Sequence, residues 1–266
     1  MIPDQKTEQR EFPAERSSRK QRASGAHRQP LTEFSSTQND SSRRQFLQGA
    51  LGGTFVAVAA AAAGLEFATA PAAEAQSKLT PDAALQELLD GNRRFMSGKL
   101  NSFNEDLEIL KQKTVDKQEP FAAVLACADS RVPVELLFDQ SIGHVFVTRV
   151  AGNVVTPEII ASLEYGVAVL GTKALVVLAH ASCGAVKATI QAKEVPGQIS
   201  ALYPHIQPAV NQAGHDLEAA SKANAKIQAG LLREASTVIA GAIKAEKLKV
   251  VAGYYDLGSG AVTILD

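Results

Sequence analysis

The chain has 266 residues, 45% of them apolar, and a formal charge of −1 at neutral pH, a length that fits one large domain or two small ones. The near-neutral balance excludes the basic footprint of a nucleic-acid binder. With no Trp and only 5% aromatic residues, the chain also lacks platforms on which bases would stack.

Residues 1–41 are rich in Arg, Ser and Gln and carry almost no apolar periodicity. Arg43 and Arg44 then precede Phe46 and Leu47, a mild apolar stretch runs from Gly49 to Leu65, and Ala73-Glu74-Ala75 stands before Gln76. A charged region, an apolar region and an A-x-A sequence in that order make an export signal. The SRRQFL core and its weakly hydrophobic, Ala/Gly-rich continuation resemble the twin-arginine (Tat) class. The competing reading is an N-terminal membrane anchor, but the stretch sits at the short limit of the roughly 17–25 residues a span needs. The expectation is therefore a cleaved leader over 1–75 and one domain over 76–266 with no stable membrane span. It implies delivery to the periplasm, a thylakoid lumen or another extracytoplasmic space. The segment ahead of the arginines is long for such a signal, and reads as an extended leader or as a sign of a later translation start.

Thr80-Pro81 reads as an N-cap followed by Pro at the first helical position. Ala84, Leu85, Leu88, Leu89 and Phe95 keep helical spacing, which predicts a helix over 81–97. A short helix follows over 105–114. FAAVLACAD (121–129), HVFVTRVAG (144–152), KALVVLAHAS (173–182) and LKVVAGYYDL (248–257) are short, nearly continuous apolar runs, as strands buried on both faces read. AVTILD (261–266) predicts a fifth strand, at an edge. Thr156-Pro157-Glu158 opens a helix with Ile159, Ile160, Leu163, Val167 and Leu170 on one face. Residues 184–194 and a longer region over 206–246 also read as helical. Strands alternating with helices predict an α/β fold, a mostly parallel central sheet of four strands plus an edge strand, flanked by helices. In such sheets ligands lie beyond the carboxyl ends of the strands.

Cys127, Asp129 and Arg131 follow the first strand at alternate positions, and so should face one side. The third strand ends in His180-Ala181-Ser182-Cys183-Gly184. Parallel strands end on a common edge, so Cys127, Asp129, His180 and Cys183 can converge. Two thiolates, an imidazole and an oxygen donor make a tetrahedral zinc set, and a helix starting near Cys183 would favour a thiolate there. Taken singly, each Cys reads better as a small buried hydrophobe and the His as a satisfied structural residue. Both cysteines of a two-Cys chain at strand ends on one edge shift the reading to metal. The alternative is a Cys127–Cys183 disulfide formed in an oxidising compartment. His144, His205 and His215 read as structural or solvated rather than as proton shuttles. Gly258-Ser259-Gly260 precedes a strand and so is no dinucleotide loop. Asn92 and Asn224 take no role from sequence.

CADSRVP (127–133) followed by HASCGAV (180–186) resembles the paired C-x-D-x-R and H-x-x-C-G motifs of β-class carbonic anhydrases. The likeness spans 81–266, with LLDGNRRF (88–95), GHVFVTRVAGN (143–153) and GYYDLGSGAV (253–262) in the family's order. Val150 departs from it, standing where many members carry Asn. The resemblance implies reversible hydration of CO2 to bicarbonate and a proton by a zinc-bound hydroxide, with one Zn2+ per chain held by Cys127, His180 and Cys183. It makes Asp129 and Arg131 the catalytic pair. In an open form Asp129 pairs with Arg131 and leaves the fourth metal position to water; in a closed form Asp129 is itself a metal ligand. The family's closed form goes with a bicarbonate site that includes a Trp three residues before the first Cys. Val124 stands there, so such inhibition is expected to be weak or absent, and Arg149 alone would not rebuild the site. The resemblance further implies a homodimer or higher oligomer. The alternatives are a CS2 or COS hydrolase on the same fold, or a catalytically inert, zinc-stabilised module. Retention of Asp129 and Arg131 argues against the module.

Overall fold

The computed structural model describes residues 77–102 and 107–265. The leader expected over 1–75 lies outside them. Helix α1 (Pro81–Met96) starts where the sequence places it: the Thr80 hydroxyl accepts from the Ala83 N–H at 3.2 Å, and Pro81 follows at the first position. Its buried face runs through Ala84, Leu85, Leu88, Gly91 and Asn92. Gly91 permits a close approach, because a Cβ there would lie 1.7 Å from the Phe138 carbonyl oxygen. Helix α2 (Leu107–Thr114) leads to strand β1 (Ala122–Ala126), the short α3 (Val134–Leu137), β2 (Val145–Arg149), a 3-10 turn over Ala151–Asn153, and α4 (Pro157–Ala168). Then come β3 (Ala174–His180), α5 (Gly184–Ile190), a second 3-10 turn (Ile199–Leu202), α6 (Tyr203–Ala213), α7 (Leu217–Ala235), α8 (Thr237–Lys244), β4 (Lys249–Tyr255) and β5 (Val262–Ile264).

The sheet runs in the order β2-β1-β3-β4-β5. The first four strands are parallel, with Ala122 opposite both Val145 and Ala174, and Ala174 opposite Lys249. Strand β5 is antiparallel to β4, with Tyr255 opposite Val262. This is the expected α/β architecture. Side chains alternate across the sheet, and the two faces have separate cores. Ala123, Leu125, Leu175 and Val177 meet Leu163 of α4, Leu232 of α7 and Ile239 of α8. Ala122, Val124, Ala126, Val176 and Leu178 meet Leu85 and Leu88 of α1 and Val134 and Leu137 of α3. A third cluster, Val154, Val186, Ile206, Val210 and Ala220, gathers around Cys127 and Cys183.

Two expectations are corrected. Strand β2 reads as buried on both faces but is the sheet margin and only half-buried, because apolar composition does not report whether a neighbouring strand exists. The single helical region over 206–246 is three helices. Gly214 leaves α6 with φ +67, Asp216 caps α7 by accepting from the Ala219 N–H at 2.8 Å, and Ser236 caps α8 by accepting from the Ile239 N–H at 3.0 Å. No helix among the described residues is long and apolar enough to cross a membrane.

Candidate functional site

Strand β1 stops at Ala126, opposite Leu178, so Cys127 leaves the sheet edge beside the last turn of β3, whose final residue is His180. The chain then turns through Ser182, with φ +55, and sets Cys183 at the N-cap of α5. Register and one left-handed residue thus bring two strand ends together. The Sγ atoms of Cys127 and Cys183 and a ring nitrogen of His180 all lie within 4.8 Å of one another, and all three residues are buried. Both cysteines are free thiols, which leaves the disulfide reading without support.

The donor set suits a metal ion. His180 Nδ1 lies 2.8 Å from the carbonyl of Ala181. A carbonyl only accepts, so Nδ1 carries the proton and Nε2 offers a lone pair. That Nε2 is fully buried and has no hydrogen-bond partner. An orphaned acceptor between two thiols is the arrangement a soft-to-borderline cation satisfies. The thiols share their charge unequally. Cys127 is held well below the ordinary thiol range by a hydrogen bond from Cys183, which outweighs burial and is reinforced by the Gly152 N–H at 3.3 Å. Cys183 is pushed up by that same bond, by burial and by the charge on Cys127.

Asp129 lies beside this cluster, not in it: its Oδ2 is 3.9 Å from His180 Nε2, and the three-donor group does not include it. Both its oxygens are engaged by Arg131, Nε to Oδ1 at 2.9 Å and Nη2 to Oδ2 at 2.7 Å. Arg131 drives the Asp129 carboxyl far below the usual carboxylate range, first through these side-chain bonds, against burial, and then through its backbone N–H. The alternation expected of 127, 129 and 131 is not what joins the pair. The strand has already ended, and a turn closed by the Val132 N–H on the Asp129 carbonyl at 3.1 Å brings Arg131 back. Arg131 Nη2 also reaches the Ser182 carbonyl at 3.3 Å, linking the two strand-end loops.

Arg149 is a site residue whose role was not foreseen. At the end of β2 it donates through Nε to the Cys127 carbonyl at 2.9 Å and through Nη2 to the Asp129 carbonyl at 2.5 Å. It clamps the backbone that carries both side chains. Val124 is wholly enclosed in the core beneath the sheet. His144 and His215 are exposed, and His205 offers its backbone carbonyl to Gln228; none joins the metal cluster. Asn92 has a structural place: it donates to the carbonyls of Leu137 and Gly260 and accepts from the Val262 N–H, tying α1 to the β4–β5 turn.

Residues 122–262 match the family described as carbonic anhydrase. A carbonic anhydrase of Mycolicibacterium smegmatis is 37% identical over 195 residues, which span 69% of this chain and 93% of that protein. Carbonic anhydrase 2 of Mycobacterium tuberculosis is 31% identical over 194 residues, 70% of this chain and 93% of that protein. Among solved structures, a tetrameric β-carbonic anhydrase of Sordaria macrospora superposes with a TM-score of 0.56 at 22% identity, covering 68% of this chain and 96% of that one. The Aspergillus fumigatus β-carbonic anhydrase CafA superposes with the same score at 26% identity, covering 60% and 81%. A match over more than half of the chain, a relative covered almost end to end and a shared parallel sheet lead to one conclusion: this chain is an enzyme of the β-carbonic anhydrase family.

Proposed function

We propose that the protein hydrates CO2 reversibly to bicarbonate and a proton with the help of one zinc ion held by Cys127, His180 and Cys183. The observation that carries the reading is the convergence of these three buried donors beside an ionised Asp129–Arg131 pair. Bound zinc supplies Lewis acidity, which brings the pKa of a coordinated water from about 16 to about 7. The remaining work falls to the chain. Asp129, kept ionised by Arg131, accepts a hydrogen bond from the attacking oxygen species and turns its free lone pair toward carbon. Arg131 holds the carboxylate away from the donor cluster, which supports the open arrangement in which that fourth position is left to water. Arg149 fixes the carbonyls on either side of Ala128 and so fixes where both side chains start. The apolar shell of Val154, Val186 and Ile206 around the cysteines suits a small uncharged substrate.

The reading extends to place and assembly. The SRRQFL segment and the A-x-A sequence support export by the twin-arginine route, so that residues 76–266 act outside the cytoplasm. The half-buried β2 margin, with Tyr165 packed at 6.2 Å against Phe146 and itself 47% exposed, supports a homo-oligomer.

Stopped-flow CO2 hydration by the zinc-loaded protein tests the activity. Turnover is expected above about pH 8, where the activated water is ionised. Asp129→Asn is expected to keep zinc and lose turnover by about a hundredfold or more. A zinc-loaded protein that does not hydrate CO2 sinks the reading, and hydrolysis of CS2 or COS in its place would move the assignment to those substrates.

A further inference from the structure

Helix α7 presents two primary amides, Asn224 and Gln228, one turn apart and wholly buried. An interior amide is unfavourable unless its polar atoms find partners, and here every one does. Asn224 Nδ2 donates to the Gly152 carbonyl at 2.8 Å. Gln228 Oε1 accepts from the Val155 N–H at 2.8 Å, and Gln228 Nε2 donates to the His205 carbonyl at 3.0 Å and to Asn224 Oδ1 at 3.2 Å. The two amides form a ladder that grips the turn over 152–155 and ties it to α6.

That turn touches the site. Gly152 has φ +76 and Asn153 φ +43, so the chain is left-handed at two consecutive residues. The Gly152 N–H points at Cys127 Sγ. Gly152 is therefore held at both ends, its N–H on the sulfur and its carbonyl on Asn224. Glycine is the residue with the widest backbone freedom, and an N–H on a glycine is a fixed donor only if something else fixes its torsions. A side chain at 152 is disfavoured by the left-handed φ of +76, and a Cβ there would lie 2.8 Å from Ile206 Cδ1, which would have to move. The constraint has to come from a neighbour, and Asn224 supplies it.

We propose that Asn224, braced by Gln228, is a positioning residue for the metal centre: through Gly152 it keeps an N–H on Cys127 Sγ and thereby sets how firmly that thiolate holds the ion. The inference rests on Cys127 being a zinc ligand. A peptide N–H on a thiolate fixes the direction of its lone pairs and tempers its charge, and outer partners of this kind govern metal affinity by about 10- to 100-fold. A ladder that served only to satisfy the buried turn would affect folding and leave the metal alone.

The test compares the full chain with Asn224→Leu, Gln228→Met and Leu232→Ala, the last a core residue one turn further along the same helix, in a cluster that does not include the cysteines. Two quantities are read: the rate at which a chelator strips zinc, and the thiolate-to-cobalt charge-transfer band of the cobalt-loaded protein. Asn224→Leu is expected to release zinc about tenfold faster or more and to shift the cobalt band. Gln228→Met should move both in the same direction by less, and Leu232→Ala should lower the melting temperature while moving neither. If Asn224→Leu does not fold, Gln228→Met decides on the same readouts. Wild-type release rates and band positions in the amide variants overturn the proposal, as does a Leu232→Ala protein that shifts them equally. A wild-type protein that binds neither metal would overturn the zinc reading beneath it, a failure visible before any variant is made.

Discussion

Arg131 decides what Asp129 can do. Two bonds from the guanidinium and one from the backbone hold the carboxylate ionised and turned outward. Arg131→Ala removes the main cause of its lowered pKa, so the carboxyl returns upward toward the ordinary range. Even there Asp129 stays ionised near pH 8, so the acid limb of kcat/KM, set by the activated water, is expected to keep its place. Turnover near pH 8 is expected to fall by about tenfold or more, because the carboxylate has lost the donors that aim it. Unchanged turnover would show that Arg131 does not position Asp129. At this scale the convergence of Cys127, His180 and Cys183 was legible, because Cys and His are rare types and strand ends of a parallel sheet share one edge. Arg149 was not, since it acts on carbonyls that every residue possesses. The amides of α7 did leave a trace: Asn224 and Gln228 stand among Ser221, Ala225, Ala229 and Leu232 on a buried helical face, where the periodicity calls for apolar residues.

Helices and strands are joined around the site by buried polar groups rather than by apolar contact alone. Asp139 shows the effect between α1 and α3. Its side chain is fully buried and accepts from Arg94 Nε at 2.5 Å, from the Asn101 and Ser102 N–H groups at 2.9 Å each, and from the Ser102 hydroxyl at 2.8 Å. Burial pushes its carboxyl up, but these donors together bring it down to about 2. A folded pKa below the unfolded value of about 3.9 adds stability above that value and loses it as pH falls toward 2. Asp139→Asn is therefore expected to cost about 2 kcal/mol at pH 7, with the gap closing as denaturant midpoints are followed below about pH 4. A gap that stays constant would mean that the charge is not what matters. Element ends were readable where a cap announces them, as at Thr80 and Thr156. The breaks at Gly214 and Ser236 were not read, because the apolar spacing continues nearly in phase across them.

The molecule as a whole places its chemistry at the edge where four parallel strands finish, and three buried donors there have one unsatisfied lone pair among them. Zinc should therefore stabilise the fold as well as serve the reaction. At about a thousandfold above its dissociation constant, a ligand of the folded state adds about 4 kcal/mol, or about 8 °C or more in a domain of this size. Stripping zinc should lower the melting temperature by that much and adding it back should restore it. Tyr165→Glu, on the surface beside β2, tests the proposed homo-oligomer and is expected to shift sedimentation toward the monomer. Unchanged sedimentation would speak against a subunit contact at β2. The mostly parallel sheet, flanked by helices and with 261–266 as an edge strand, followed from alternating apolar strands and helices. That β2 would lie at the margin did not, because its apolar composition does not report whether a neighbouring strand exists. One detail at that finishing edge reaches beyond a single molecule. The group that sets the His180 tautomer is the carbonyl of the very next residue, part of the main chain itself. Codon changes at position 181 replace a methyl group and leave that oxygen standing. The imidazole's readiness to ligate is thus written into the path of the backbone, where mutational drift has no side chain to erase.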